Sequence, residues 1–297
     1  MISILIPTYN YNTFPLVKEI HKQLIHSKKV FEIICLDDAS DQKYKQENLK
    51  INALEFSTFS ILDKNIGRSK IRNKLVALAK YNYLLFLDAD VIPKNSNFIE
   101  TYLDSISYKN KVIYGGISYR DKKPENAKLL RWTYGKSREE VSISKRKSNP
   151  YKHFLSANFL IHKSLFSSHG FNETLTTYGH EDSLFAIDLK KSAIEISPIE
   201  NTVFHLGIES NSIFLEKIKA SVKNAFYLYT HQFIDKKDIH LVDKYILLKT
   251  LRIDGFMAFI FRKIHKKWEN NLFSKNPSLL VLDFYKLGYL CTIANAS

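Results

Sequence analysis

Cysteine is almost missing from this chain, and glycine is scarce where it would matter most. Two cysteines among 297 residues, Cys35 and Cys291, exclude a disulfide scaffold and a cysteine-based zinc cluster. Cys35 lies in an apolar run and reads as a small core residue. The first apolar run with its polar continuation, ILIPTYNYNTF, contains no glycine, which argues against the glycine-rich phosphate loop of a nucleotidyltransferase. No uninterrupted apolar run reaches the roughly 18 residues that a membrane span needs. The opening MISILIPTYN lacks the basic start and long apolar stretch of a secretory signal. A cytoplasmic location is therefore expected, with any membrane attachment peripheral and on the inner face of the cytoplasmic membrane. There is no internal repeat and no low-complexity tract.

What is present is the composition of a folded chain: 45% hydrophobic and 25% charged residues speak against wholesale disorder. The length suits one large α/β domain with additions, or two modest domains. The net charge of +14 is unevenly placed. Residues 122–152 hold 10 basic and 3 acidic residues, and residues 212–297 hold 14 and 7, so each segment carries +7. The remainder has 20 of each sign and is neutral. Such patches suit anionic partners, or are simply solvated lysine. A neutral body without a nucleic-acid-binding module excludes nucleic acid as the expected partner.

Along the first 120 residues short apolar strands alternate with amphipathic helices. The strands are expected at 2–7, 31–36, 83–87 and 111–117, with a weaker one near 56–62. Helices are expected from Asn12 or Thr13 to Ser27, from Gly67, and from the Ser96/Asn97 region. That order means βαβ units and a mostly parallel sheet, with ligands bound beyond the carboxyl ends of the strands. Thr8, Asp38, Asp88 and Asp90 fall at that edge. From 119 to 152 the pattern dissolves and reads as a basic loop around Trp132 and Tyr134. Strand patterns return at 154–162 and 195–205, with a helix over 182–191, and from about 212 helical periodicity takes over. A boundary near 210 divides a domain of residues 1–210 from a basic α-helical extension, 211–297.

Asp88-Ala89-Asp90, running straight out of YLLFL, is the most informative feature. Two carboxylates at i and i+2 where a strand ends can hold a hard divalent cation and still meet a ribose hydroxyl. On a solvated turn the same triplet means little. Its company decides: ILIPTYN (4–10), ICLDDAS (34–40), NIGRSKIRN (65–73), FLDAD (86–90), SANFLIHKSLF (156–166), GFNETLTTYGHEDSLFAIDL (170–189) and His205 stand in order along some two thirds of the chain. In these motifs the sequence resembles the inverting glycosyltransferases of family 2. The resemblance implies a GT-A fold, Rossmann-like, with a mostly parallel central sheet flanked by helices.

It also implies roles. Pro7, Thr8, Tyr9, Asn10 and Asn65 would shape the nucleotide pocket, Asp38 would accept from the base, and Arg72 would approach base or phosphate. Asp88 would reach the ribose, while Asp90 and His205 would bind Mn²⁺ or Mg²⁺. Asp182 would be the general base, preferred to Glu181, which with His180 and Trp132 would meet the acceptor. Asp182 opens a helix, whose dipole favours the anion, so it is expected to be ionised at neutral pH and not especially basic. The implied activity is metal-dependent transfer of a hexose or N-acetylhexosamine, from a nucleoside-diphosphate sugar (UDP expected) to a saccharide or lipid-linked glycan in bacterial surface polysaccharide assembly. The alternatives are a nucleotidyltransferase acting on sugar phosphates and a non-catalytic nucleotide-sugar- or glycan-binding relative.

Plainer readings stand beside these. Asp37 and Asp38 could end a strand in an Asx turn, with a ligand contact for Asp38 alone. Arg72 could pair with a neighbouring carboxylate. Asn65, Ile66 and Gly67 could be a turn and helix start. His205 could be a hydrogen-bonded core histidine, His180 a space filler, and Trp132 and Tyr134 either a sugar-stacking wall or anchors for their loop. In the tail, Phe256, Met257, Ile260, Ile264 and Trp268 share one face of a helix opposite Arg262, Lys266 and Glu269. That helix would lie on an anionic membrane surface or pack against protein.

Overall fold

Apolar runs become strands and amphipathic stretches become helices in an order that builds one large sheet. The computed structural model describes residues 1–106 and 111–296. Ten strands are described: β1 (Ile2–Thr8), β2 (Phe31–Asp37), β3 (Ser57–Ile61), β4 (Tyr83–Leu87), β5 (Val91–Pro93), β6 (Lys111–Tyr114), β7 (Ile117–Ser118), β8 (Asn158–His162), β9 (Glu195–Pro198) and β10 (Val203–His205). The helices among them are α1 (Phe14–Ser27), α2 (Gln42–Asn48), α3 (Arg68–Leu78), α4 (Phe98–Asp104), α5 (Leu129–Tyr134), α6 (Ile143–Ser148), α7 (Lys163–Ser168) and α8 (Glu181–Lys191). Four more follow: α9 (Asn211–Thr230), α10 (His240–Thr250), α11 (Asp254–Leu272) and α12 (Leu279–Ala294). Two compact units result: Met1–Arg120 with Glu139–Thr176 and Glu181–Gly207, and Asp121–Arg138 with Thr177–His180 and Ile208–Ser297.

In the first unit seven strands lie in the order β3-β2-β1-β4-β8-β6-β9. The pairs β1–β2, β1–β4, β2–β3 and β6–β9 are parallel, while β8 runs antiparallel to both neighbours. Strands buried on both faces explain why β1 and β4 read as continuous apolar runs. One face packs around Phe86, Phe159, Phe171 and Phe185, with Phe86 stacked on Phe159 at 4.7 Å and Phe171 on Phe185 at 4.6 Å. A second sheet, β5-β10-β7, sets His205 opposite Val91.

The structure corrects two sequence expectations and adds a helix. The run at 111–117 is two strands, because the chain leaves one sheet for the other at Gly115-Gly116. A Cβ at Gly115 would stand 2.4 Å from Asn158 Nδ2 and from the Asn201 carbonyl. The polar stretch after Ser40 contains α2. The basic segment 122–152 is not an open loop: it forms α5, a π-helical turn at Gly135–Glu139, and α6. Arg146 on α6 is 1% exposed and donates to the carbonyls of Tyr114, Ile199 and Val141. Burial of this arginine is offset by oxygens contributed from distant strands, which periodicity cannot foresee.

In the second unit the core includes Leu130, Phe214, Leu215, Tyr245, Phe261, Leu282 and Tyr285. Helix α11 packs on α12 where Gly288 admits Phe261; a Cβ at Gly288 would stand 2.8 Å from it. The buried residues of α11 are Ala258, Phe261 and Leu272, whereas Phe256, placed by the helical wheel on the broad apolar face, is 66% exposed. The inward face is therefore rotated from the one the sequence suggested, keeping Met257 and Trp268 against the core and leaving Phe256 outside. No helix among the described residues is long and apolar enough to cross a membrane.

Asn158, 0% exposed, is the polar lock of the first unit: it accepts from Tyr102 Oη at 2.7 Å and donates to the Gly116 and Asn201 carbonyls at 2.9 Å each. Asn158→Ala removes all three bonds; Tyr102 Oη keeps only the residue 158 carbonyl at 3.3 Å, the Gly116 carbonyl only the Val203 N–H at 3.3 Å, and the Asn201 carbonyl loses this donor. Urea unfolding should show a loss of about 3 kcal/mol, with an unchanged denaturant slope.

Candidate active site

Strands β2, β1 and β4 are neighbours, and their carboxyl ends bring Asp37-Asp38, Thr8 to Asn10, and Asp88 to Asp90 to one edge. The backbone stitches that edge together. Asp38 N–H donates to the Thr8 carbonyl at 2.8 Å, and Asn10 Oδ1 accepts from Asp41 N–H at 2.7 Å. Asn10 holds a positive φ of 48°, a conformation that asparagine tolerates. Pro7 and Thr8 end the strand, Thr8 buried, while Tyr9 is 55% exposed. Asp38 accepts from the backbone N–H of Ile66 at 2.7 Å and of Gly67 at 3.0 Å, and Asn65 donates to its carbonyl. Its carboxylate thus fixes the turn that starts α3, where Gly67 has φ +88°.

Helix α3 presents two arginines four residues apart to the end of β4. Arg72, 2% exposed, donates to Asp88 Oδ1 at 2.5 Å and faces the Phe171 ring at 5.3 Å. Of its two sequence readings, the carboxylate pair is the arrangement found. Arg68 reaches Glu181 Oε1 with Nε at 2.5 Å and Asp88 Oδ2 with Nη2 at 3.7 Å. One side chain therefore touches both the carboxylate that ends β4 and the one that opens α8. Arg68 escaped notice in the sequence. The available signal was three cations, Arg68, Lys70 and Arg72, in the first turn and a half of a helix, where the dipole disfavours positive charge unless anions lie nearby.

The carboxylates divide by charge state. Burial would raise Asp88, but Arg72, Arg68 and His205 outweigh it and hold the carboxyl below its ordinary value. Burial likewise opposes Glu181, and Arg68 and Arg72 again prevail. Asp182 goes the other way. Burial and then the adjacent Glu181 carboxylate push it up to about 7, only partly countered by the Ser183 N–H and the two arginines. This corrects the expectation that the helix start keeps Asp182 an ordinary anion. Desolvation and a like charge next door exceed a dipole worth at most about 2 kcal/mol.

Asp90 and His205 form the other focus. Asp90 Oδ2 lies 3.5 Å from His205 Nε2, with both side chains mostly buried. The Leu206 N–H donates to the Asp90 carbonyl at 2.7 Å, and a Cβ at Gly207 would fall 1.9 Å from Asp90 Oδ2. The absence of a side chain at 207 is what admits the carboxylate. His205 stacks on Tyr119 at 5.4 Å, and its buried Nδ1 finds no hydrogen-bond partner among the described residues. A carboxylate oxygen and an imidazole nitrogen so placed suit Mn²⁺ or Mg²⁺ whose other positions are filled by phosphate and water. Among the described residues no group of three or more such ligands gathers in one place. Tyr11, also unforeseen, is raised by burial and by the nearby Asp90 charge.

Trp132 and His180 belong to the second unit. Trp132 is half-buried on α5, and His180 has a φ of 71°. The segment before Glu181 is held by Asn224, whose Nδ2 donates to the carbonyls of Thr177, Tyr178 and Gly179.

Comparison with known proteins gives the family and the fold. The sequence pattern of the family described as "Glycosyl transferase family 2" matches residues 3–170, more than half of the chain. No curated protein sequence matches. Among solved structures, the mannosyltransferase PcManGT from Pyrobaculum calidifontis, in complex with GDP-Man and Mn²⁺, is similar with a TM-score of 0.58 and 14% identity, over 99% of this chain and 86% of that one. S. aureus TarS 1-349 is similar with a TM-score of 0.52 and 17% identity, over 99% and 91%. A longer TarS chain matches with a TM-score of 0.50 and 20% identity, over 73% of this chain and 38% of its own length. The shared architecture is the GT-A fold. With the family pattern spanning the sheet edge that carries Asp38, Asp88 and Asp90, the chain belongs to glycosyl transferase family 2 and is a glycosyltransferase.

Proposed function

We propose that the chain moves one sugar from a nucleoside-diphosphate donor, with UDP the expected nucleotide, to a hydroxyl of a saccharide or lipid-linked glycan. Configuration at the transferred carbon is inverted. The observation that supports this reading is the position of Arg68, which joins Asp88 at the end of β4 to Glu181 at the start of α8. PcManGT with GDP-Man and Mn²⁺, and TarS 1-349 with UDP, which is 18% identical at a TM-score of 0.51, support a nucleotide donor.

In this reading Pro7, Thr8, Tyr9, Asn10 and Asn65 border the nucleotide. Asp38 keeps a second lone pair on each oxygen for a base N–H. Asp88, anionic beside Arg72, accepts from a ribose hydroxyl. The acceptor hydroxyl gives its proton to Asp182 as its oxygen bonds the anomeric carbon, and the bond to the diphosphate breaks with its electron pair on the leaving oxygen. Attack opposite the leaving group inverts the centre, the geometric logic of inverting glycosidases. Glu181, His180 and Trp132 are assigned to the acceptor side. Asp90 and His205 would hold Mn²⁺ or Mg²⁺, which when bound would supply positive charge to offset the negative charge that builds on the diphosphate. The transferred group is a hexose or N-acetylhexosamine, and surface polysaccharide assembly in a bacterium is the expected setting.

A carboxylate poised near neutrality suits general base work, because a large share of it is deprotonated at neutral pH and it is still basic. Asp182→Asn should retain donor binding in a thermal-shift assay yet lose transfer by about a thousandfold. Turnover close to wild type in that variant would remove Asp182 from the mechanism. With Asp182 at about 7, kcat/KM should fall as pH drops through that value, about tenfold per unit well below it, and level off above. Asp90→Ala should abolish the Mn²⁺-dependent part of the thermal shift produced by UDP-sugars, while a shift equal to wild type would dismiss Asp90 as a ligand.

A further inference from the structure

The corner between α10 and α11 leaves large apolar side chains in water. Leu247 and Leu251 at the end of α10, Ile253 in the turn, and Phe256 and Phe259 on α11 are exposed at 49%, 57%, 43%, 66% and 50%. Five such residues within thirteen positions differ from the singly scattered apolar residues of an ordinary surface. Leu247 and Leu251 are one helical turn apart, as are Phe256 and Phe259, so each pair shares a face. Arg252, at a φ of 57°, turns the chain between them, and a Cβ added at Gly255 would meet nothing within 4 Å.

Charge around this corner is sorted by sign. The acids of the two helices, Asp243, Asp254 and Glu269, are all half-buried, and Glu269 accepts from Tyr285 Oη at 2.7 Å. Lys249, Arg252, Arg262 and Lys263 are exposed, with the Lys263 ammonium 5.8 Å from the Phe259 ring. Whatever covers the corner must take up apolar side chains and positive charge together. A second copy of this chain meets the first demand and fails the second. It carries +14 itself, and a two-fold contact would set the Lys249 and Arg252 of each copy against one another.

We infer that the α10–α11 corner docks onto an anionic phospholipid surface. Leu251, Ile253, Phe256 and Phe259 enter the boundary between headgroups and acyl chains, and Lys249, Arg252 and Lys263 lie against lipid phosphates. The attachment is interfacial, since no described helix can span a bilayer. This surface shares only Phe256 with the broad face seen in the sequence, of which Met257 and Trp268 pack against the core, and nothing in the assignment depends on the transfer reaction.

Flotation with phosphatidylcholine vesicles, with and without a quarter of phosphatidylglycerol, tests it at low salt. The protein should float only with the anionic vesicles and be released by salt. The pair Phe256→Ser with Phe259→Ser should lower vesicle partition about tenfold or more, and Lys249→Gln with Arg252→Gln about tenfold with a flatter salt dependence. Both variants change exposed positions and should keep the wild-type Tm and wild-type UDP-sugar hydrolysis. Unaltered flotation of the serine pair, or failure of the wild type to float, overturns the assignment. So does a dimer in light scattering that the serine pair converts to monomer, which would give the corner to a second copy. Flotation without any turnover would sink the transferase reading alone.

Discussion

Two arginines on one face of α3 hold Asp88, at the end of β4, and Glu181, at the start of α8, in their ionised forms, and the charge pattern of the site depends on that. A carboxylate buried without compensation takes up a proton instead of keeping its charge. Arg72, almost wholly inside the protein, directs its charge at Asp88, and Arg68 divides its own between Asp88 and Glu181. Because these two acids are kept anionic, Asp182 stands beside a fixed negative charge and becomes the group whose proton is shared with solvent near neutrality. Three carboxylates of similar intrinsic acidity thus acquire distinct states from their surroundings alone, the pattern by which one site separates permanent charge from exchangeable proton.

The elements that were legible in the sequence owe it to periods that any buried strand or amphipathic helix must show. YLLFL ends where β4 ends, and the helical periodicity expected from about 212 begins with α9 at Asn211. What stayed hidden depends on partners far away in the chain. A basic stretch looks solvated until Arg146 is seen beneath Gly116, donating to carbonyls more than thirty residues away on either side. An aspartate at a helix start looks like an ordinary anion until its neighbours are known. Arg68 looked like one more surface cation because Asp88 and Glu181, its partners, lie 20 and 113 residues away.

In the helical unit it is phase, rather than charge, that stayed hidden. A wheel drawn for α11 weighs each residue by hydrophobicity and selects the face of Phe256 and Ile260. The chain instead buries the face of Ala258 and Phe261, because Gly288 on α12 offers a notch that admits an aromatic ring at close range. Small residues decide how two helices meet, and the large side chains left over are then free to serve another surface. A glycine on a different helix cannot enter a single-helix moment.

The short antiparallel ladder of β5 and β10 sets how firmly the Asp90–His205 pair is held. His205 is paired with Val91, the residue directly after Asp90, so the imidazole and the carboxylate are separated by backbone registry rather than by the play of a loop. Such a pincer has little freedom to open or close. If an ion is held there, the spacing of its two protein ligands, Asp90 and His205, would be set by the ladder. Slipping the pairing by a single step would turn the imidazole to the opposite face of the sheet, so the pincer exists in one alignment or not at all.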